Sequence, residues 1–129
     1  MIALDTNVLV RFLTRDDPDQ WAAADALMAG LSAGAPGFIC REVMVELVWV
    51  LERAYALPRE DIARAVGGFL EAPEVRVEAA DRVGLALSRY ARGGPGFSDQ
   101  MILLAAGAEA SALATFDTKL AREPGARLV

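Results

Sequence analysis

Asp5 closes the apolar opening Met1-Ile2-Ala3-Leu4 and is followed at once by Thr6-Asn7 and a helical pattern. A short buried strand would deliver that carboxylate to its own C-terminal tip. The arrangement recurs near the end of the chain, where Ala112-Leu113-Ala114-Thr115 leads through Phe116 to Asp117. Between them lie Glu46, inside an apolar helical pattern, and Asp99, in Phe97-Ser98-Asp99 at the opening of another. Ligands of open α/β sheets bind where strand ends meet helix starts. Carboxylates aimed together at one such crevice repel each other unless a cation sits between them. A hard divalent metal bound through oxygen, Mg²⁺ or else Mn²⁺, is the natural candidate.

The chain has no histidine. Ser-His-Asp triads, Cys-His pairs and histidine-ligated zinc therefore drop out. Any acid–base chemistry must come from carboxylates, lysine, tyrosine or metal-activated water. That puts hydrolysis assisted by Mg²⁺ or Mn²⁺ near the top of the remaining reaction types.

The elements that would position these acids alternate between strand and helix, which predicts an α/β fold with a parallel sheet covered on both faces. Residues 2–5 read as a strand and 7–14 as a helix carrying Val8, Leu9 and Phe12. Pro18 can open a second helix at its first position. Its stripe of Trp21, Ala24, Met28 and Leu31 runs out at Gly34 and Pro36. Phe38–Cys40 is a second strand, followed by a helix over 41–56 with Val43, Leu47, Val50, Leu51 and Ala54 on one side. Pro58 opens another, with Ile62, Val66, Phe69 and Leu70 inward and Pro73 as its stop. Val75–Val77 is a short strand, 79–91 a helix, and Gly93-Gly94-Pro95-Gly96 a loop. After Asp99 come a helix to Glu109, a strand at 112–115, a brief helix at 118–122 and a last strand at 126–129.

A chain of 129 residues suits one domain, 1–129, large enough to hold together without disulfides or a structural metal. The lone Cys40 cannot pair internally and reads as a buried, inert thiol. No apolar run approaches the roughly 18 residues of a membrane span. Asp5 interrupts what would be the apolar core of a signal peptide, and no basic segment precedes it. The expectation is a cytoplasmic protein away from membranes. Thirteen basic residues against eighteen acidic ones give a net charge of −5, which argues against a general nucleic-acid coat protein. A nuclease is compatible with that charge, because local arginines can hold phosphate beside a metal.

Each acid also has an ordinary explanation. Asp5 and Asp117 can be helix N-caps, and Asp99, after the good N-cap Ser98, can be a first-turn carboxylate favoured by the helix dipole. Glu46 lies at the margin of its helix's apolar stripe, where a carboxylate has lost some water and needs a partner. That partner can be a metal or an arginine, and Glu42, one turn earlier, competes for the role. The conjunction is what favours chemistry. Three of the acids fall at strand–helix junctions, and right-handed parallel crossovers bring such junctions to one sheet edge. Asn7 and Thr115 lie beside two of them and can hydrogen-bond a carboxylate or a bound water.

The chain closely resembles PIN-domain ribonucleases and, among them, the toxin half of bacterial type II toxin–antitoxin pairs. The resemblance runs nearly end to end. It rests on Leu4-Asp5-Thr6-Asn7-Val8-Leu9-Val10-Arg11, Val45-Glu46-Leu47-Val48-Trp49-Val50-Leu51, Phe97-Ser98-Asp99 and Thr115-Phe116-Asp117-Thr118-Lys119-Leu120. It implies a PIN-like three-layer α/β/α fold with a small, mainly parallel central sheet. It also implies an acidic quartet of Asp5, Glu46, Asp99 and Asp117, supported by Asn7 and Thr115. The implied activity is metal-dependent endoribonucleolytic cleavage of RNA, with Asp5 as first choice for a ligand shared between metals. Implied partners are a second copy of the chain and a small antitoxin whose basic side chain enters the acidic pocket. One departure is Ser98-Asp99-Gln100-Met101, where the family often has small apolar residues; Ser98 and Gln100 should keep the helix start intact.

Lys119, the single lysine, and Arg122 can hold substrate phosphate or simply be a solvated helix end, and Arg11 and Arg15 share that ambiguity. Trp49 points away from its helix's apolar stripe, so it lies under a neighbouring helix or forms a docking surface. Three rival functions stay open. A haloacid-dehalogenase-like phosphate-transfer enzyme wants a second Asp two residues after the first, and Asn7 stands there. A receiver-like module wants a strand-end acid mid-chain, and none is read there. A non-catalytic binding scaffold would use the acids as helix caps alone.

Overall fold

The computed structural model describes residues 1–129. In chain order the elements are β1 Ile2–Ala3, α1 Thr6–Thr14, α2 Pro18–Ala29, β2 Gly37–Ile39, α3 Arg41–Arg53, α4 Arg59–Glu71, β3 Val75–Val77, α5 Ala80–Ala91, α6 Phe97–Glu109, β4 Leu113–Thr115 and β5 Ala126–Leu128. A single 3₁₀ turn, Leu120–Arg122, links the last two strands. Six helices with small parallel sheets make the α/β architecture that the alternation of patterns predicts. The chain separates into two compact units, Met1–Ala80 and Asp81–Val129.

In the first unit the strands pair in the order β1-β2-β3, all parallel, with Ile2 opposite Gly37 and Phe38 opposite Arg76. Their C-terminal ends therefore share one edge, so Asp5, Cys40 and Glu78 each stand just beyond a strand on that edge. The Leu4 N–H donates to the Phe38 carbonyl at 2.8 Å, which carries the ladder up to the doorstep of Asp5. Gly37 is closely packed: a Cβ there would stand 2.8 Å from Leu4 Cδ1 and 2.9 Å from Leu31 Cδ1, so both leucine side chains would have to shift. Leu9, Ile39, Met44, Leu47, Leu51, Ile62 and Val66 are fully buried. They come from α1, β2, α3 and α4. In α3 the buried face is Met44, Leu47, Val48 and Leu51, turned from the expected stripe, in which Val43 and Val50 are half-buried and Ala54 is exposed.

The helix ends are set locally. Arg15 ends α1 in the left-handed region at φ 56°, and its guanidinium lies 4.7 Å from the centre of the Trp21 ring. Pro18 takes the first position of α2, and the Asp17 carboxylate accepts from the Gln20 N–H. Helix α3 stops at Arg53, short of the expected 56, because Ala56 turns left-handed at φ 52° and the Leu57 N–H bonds back to the Leu51 carbonyl. That closure satisfies a carbonyl the helix leaves open.

Two expectations about this unit need correcting. Trp49 is 57% exposed, with Arg53 5.7 Å from its ring, so no neighbouring helix covers it. Cys40 is a free thiol, but half-buried rather than enclosed, because it is the residue that turns the chain from β2 into α3.

In the second unit β4 and β5 pair in parallel, with Leu113 opposite Ala126 and Thr115 opposite Leu128. Gly125, at φ 88°, makes the turn into β5 that a side chain would resist. Tyr90 and Phe97 meet edge-on at 6.1 Å. Helix α6 begins two residues earlier than its acid suggested, with Gly96 as N-cap; Ser98 sits inside the helix and caps nothing. Gln100 is buried, and its side-chain oxygen has no hydrogen-bond partner. The departure at this position therefore reaches into the interior as well as the helix start. No helix is long and apolar enough to cross a membrane.

Candidate active site

Asp5 leaves β1 and caps α1, its Oδ1 accepting the Thr6 N–H at 2.7 Å, while Oδ2 makes no bond within the protein. Asp5, Thr6, Asn7 and Glu46 line an open cleft of about 360 Å³, with Arg11 and Tyr55 on its wall. Glu46 reaches this cleft from α3. Its surroundings differ from those its position in the stripe suggested: the residue is exposed, and no arginine pairs with it. Glu42, the competing acid one turn earlier, is not on the cleft. Asn7 is exposed and makes no bond to the Asp5 carboxylate, so both groups are left open to a ligand.

Thr6 adds a feature that the sequence reading passed over. It is 5% exposed, and its hydroxyl has no hydrogen-bond partner although it lines the cleft. A buried hydroxyl without a partner costs free energy. One on the wall of a carboxylate cleft is suited to a water or a hydrated ion.

The cleft wall is built by a polar network. Arg11 donates through Nε to Gln20 Oε1 at 2.6 Å and through an Nη1 hydrogen to Asp16 Oδ1 at 2.9 Å. The Tyr55 hydroxyl donates to Asp16 Oδ2 at 2.6 Å and the Thr14 hydroxyl to Asp16 Oδ1 at 2.9 Å. Hydrogen bonds from Tyr55 and then Thr14, with Arg11 adding to them, hold the Asp16 carboxyl below the usual aspartate range. Asp16 in turn raises Arg11 above its ordinary value. Arg11 thus has structural partners in Asp16, Gln20 and Tyr55, and Arg15 lies over the Trp21 ring.

Glu78 was also overlooked. It is an acid at the end of a mid-chain strand, the feature said to be missing for a receiver-like module. Its carboxylate is already engaged: Oε1 accepts the Arg41 backbone N–H at 3.0 Å and lies 3.4 Å from Arg41 Nε. Glu78 therefore supplies the cap that Cys40 does not give α3. The signal was available in Val75-Arg76-Val77-Glu78, an acid directly after a strand.

In the second unit Asp99 lies in the first turn of α6, half-exposed, with neither a hydrogen bond nor an ion pair. Asp117 follows β4 and is exposed. Its Oδ1 accepts the N–H groups of Lys119 at 2.9 Å and Leu120 at 3.1 Å, so it does cap the next turn. Thr115 supports the backbone rather than the carboxylate, its Oγ1 accepting the Asp117 N–H at 3.0 Å. Lys119 and Arg122 are exposed, and no acid pairs with either.

Nowhere do three or more acidic or cysteine side chains gather into a set that could by itself hold a metal ion. The donors on the cleft of the first unit still suit one kind of cation. Asp5, Glu46, the Asn7 amide and the orphaned Thr6 hydroxyl are all hard oxygen donors. Mg²⁺ keeps much of its water and binds through one or two carboxylates together with substrate phosphate.

Carboxylates just beyond the C-terminal ends of parallel strands stand where ligands of open α/β sheets bind. The family model described as PIN domain matches residues 2–125, and the chain belongs to that family. No curated protein matches it. PIN domains are typically nucleases, and they generally use divalent metal ions.

Proposed function

We propose that the chain, 1–129, works as a single PIN-like nuclease domain: a metal-dependent endoribonuclease, the toxin of a type II toxin–antitoxin pair. The observation that carries this reading is the convergence of Asp5 and Glu46 on one open cleft, which is also lined by Thr6 with its buried, unpartnered hydroxyl. Asp5 and Glu46 would hold Mg²⁺, or Mn²⁺, in that cleft. Asp99 and Asp117 are assigned to the same reaction by their place in the family pattern. When bound, the ion supplies positive charge against the phosphate and acidifies a water, which is the part a histidine-free chain cannot provide. Asn7 and Thr6 orient groups at the cleft, while Thr115 fixes the backbone that presents Asp117. Lys119 and Arg122 are free to contact RNA phosphates.

Two open carboxylates facing solvent also suit inhibition by a partner's arginine, which can stand in for metal charge. The cognate antitoxin is assigned that role, and a homodimer in the cytoplasm is the expected working form.

The test follows cleavage of a mixed RNA pool by folded, antitoxin-free protein, with Mg²⁺, with Mn²⁺ and with EDTA, beside Asp5→Asn. Cleavage that needs the metal and disappears in Asp5→Asn is the expected result. Full activity in Asp5→Asn would sink the site assignment.

A second reading has its own support. Asp5 and Asp117 both act as helix caps, as a non-catalytic scaffold would use them. Calorimetry showing no Mn²⁺ binding, together with no RNA cleavage, would favour the scaffold.

A further inference from the structure

Phe116 leaves 83% of its surface open, more than the 57% of Trp49 or the 70% of the terminal Met1. Isolated exposed apolar residues are ordinary. What sets Phe116 apart is how firmly its backbone is held. On one side Thr115 is fixed in β4, its carbonyl accepting the Val129 N–H at 2.9 Å. On the other, the Asp117 N–H is bonded to Thr115 Oγ1, the Asp117 carboxylate takes two N–H groups, and its carbonyl takes the Ala121 N–H at 2.9 Å. Leu120, 5% exposed, anchors the turn. An aromatic ring is thus presented to solvent from a pinned loop, and little backbone ordering is left to be lost on binding.

Its surroundings select the ligand. Lys119, Arg122 and Arg127 are all exposed and unpaired, against Asp117 and Glu123 in the same stretch of a chain whose net charge is −5. Arg127 stands opposite Ala114 in the register of the β4–β5 pair. An exposed aromatic side chain on a held backbone, in a short stretch that also carries free cations, matches a planar base attached to a phosphate. Single-stranded nucleic acid is bound by that combination of stacking and positive charge.

We infer that Phe116 is a stacking platform for an unpaired base of single-stranded RNA, with Lys119 and Arg122 on the adjoining phosphates. This rests on the ribonuclease reading above. The platform supplies a sequence-tolerant grip on the strand, which carboxylates alone do not give.

The test measures binding of a short, unstructured, fluorescently labelled oligoribonucleotide in EDTA, where cleavage is suppressed. Phe116→Leu keeps an apolar side chain but removes the π face. It should weaken binding between about five- and a hundred-fold, the range that loss of one stacked base gives. Phe116→Trp should bind like the wild type, and its added fluorescence should be quenched by the oligomer but not by an abasic one of equal length. Circular dichroism checks that each variant is folded.

Equal binding by Phe116→Leu, equal binding of the abasic oligomer, or an unquenched Phe116→Trp would each overturn the inference. So would loss of self-association in Phe116→Leu with RNA binding unchanged, which would make the ring a contact between copies. If Asp5→Asn still abolishes metal-dependent cleavage in those cases, the inference falls alone. If folded protein neither binds nor cleaves RNA, both readings fall.

Discussion

Asp5 follows β1 and Asp117 follows β4, and each caps the helical segment that comes next. Behind Asp5 comes α1, nine residues long, with Leu9 and Val10 buried. Behind Asp117 comes one 3₁₀ turn, anchored by Leu120 alone. The same local signal, a strand ending in an aspartate, therefore yields two different surfaces. A long helix with a buried face becomes the wall of a cleft that Glu46 also enters. A single turn leaves a pinned loop that displays Phe116, Lys119 and Arg122. On both surfaces one oxygen of the strand-end aspartate is held by backbone N–H groups; what differs is that Arg11 is tied down beside Asp5, whereas Lys119 and Arg122 beyond Asp117 are free. On the reading proposed here, the first surface is equipped for the reaction and the second for holding the strand.

Charge-removing substitutions test that division most strongly. Asparagine caps a helix as well as aspartate does, so Asp5→Asn and Asp117→Asn should both keep the fold. Metal-dependent RNA cleavage should fall at least ~100-fold in Asp5→Asn and ~10-fold in Asp117→Asn, magnitudes scaled from losses on altering metal-site partners. Equal losses would erase the distinction between the two surfaces.

Urea unfolding tests the structural half of the contrast. Leu9→Ala empties a fully buried site in α1 and should cost about 2–5 kcal/mol. Leu120→Ala, in the short turn, should fall at the low end of that range. A larger loss at Leu120 would mean that the loop is the more tightly built of the two.

Removing the caps altogether should cost less. Asp117→Ala should lower stability by about 0.5–2 kcal/mol in the same assay, and should also weaken RNA binding, because the loop that presents Phe116 loses its pins. Full stability in Asp117→Ala would leave the carboxylate with no structural duty.

The smallest effect is one of pH. The Asp16 carboxyl is held below its ordinary value, first by the Tyr55 hydroxyl. A lowered native pKa adds stability above the unfolded value of about 3.9, and that stability is lost as pH falls through the native value. Asp16→Asn should therefore be less stable than wild type at pH 7, with the difference closing below about pH 4. A gap that persisted in acid would point to packing rather than charge.

Much of this was legible in the sequence, for physical reasons. Apolar spacing gave the helices, and strand-end acids gave Asp5 and Asp117, because both signals are local. Val75–Val77 reads as a strand and Glu78 behind it carries the same local signal as Asp5, but its role as the cap of α3 was not legible, since Arg41 lies far away in the chain. Glu46 was placed correctly on α3, but its exposure was not, because helical periodicity describes one helix and not what its margin faces. Arg11 was ambiguous for the same reason: Asp16, Gln20 and Tyr55 come to it from separate segments. Asp5 and Glu46 line one cleft of the first unit, while Asp99 and Asp117 are joined to them only by the resemblance to the family.

The Glu78 cap has a consequence for precision. By gripping the first N–H of α3 from the end of β3, it ties that helix to the sheet at a fixed height. Asp5 takes its height from the end of β1, on the same edge. The two carboxylates of the cleft are thus gauged from one common baseline, although 41 positions of chain part them. A slip of α3 along its own axis would break the Glu78–Arg41 bond before it could carry Glu46 out of step with Asp5.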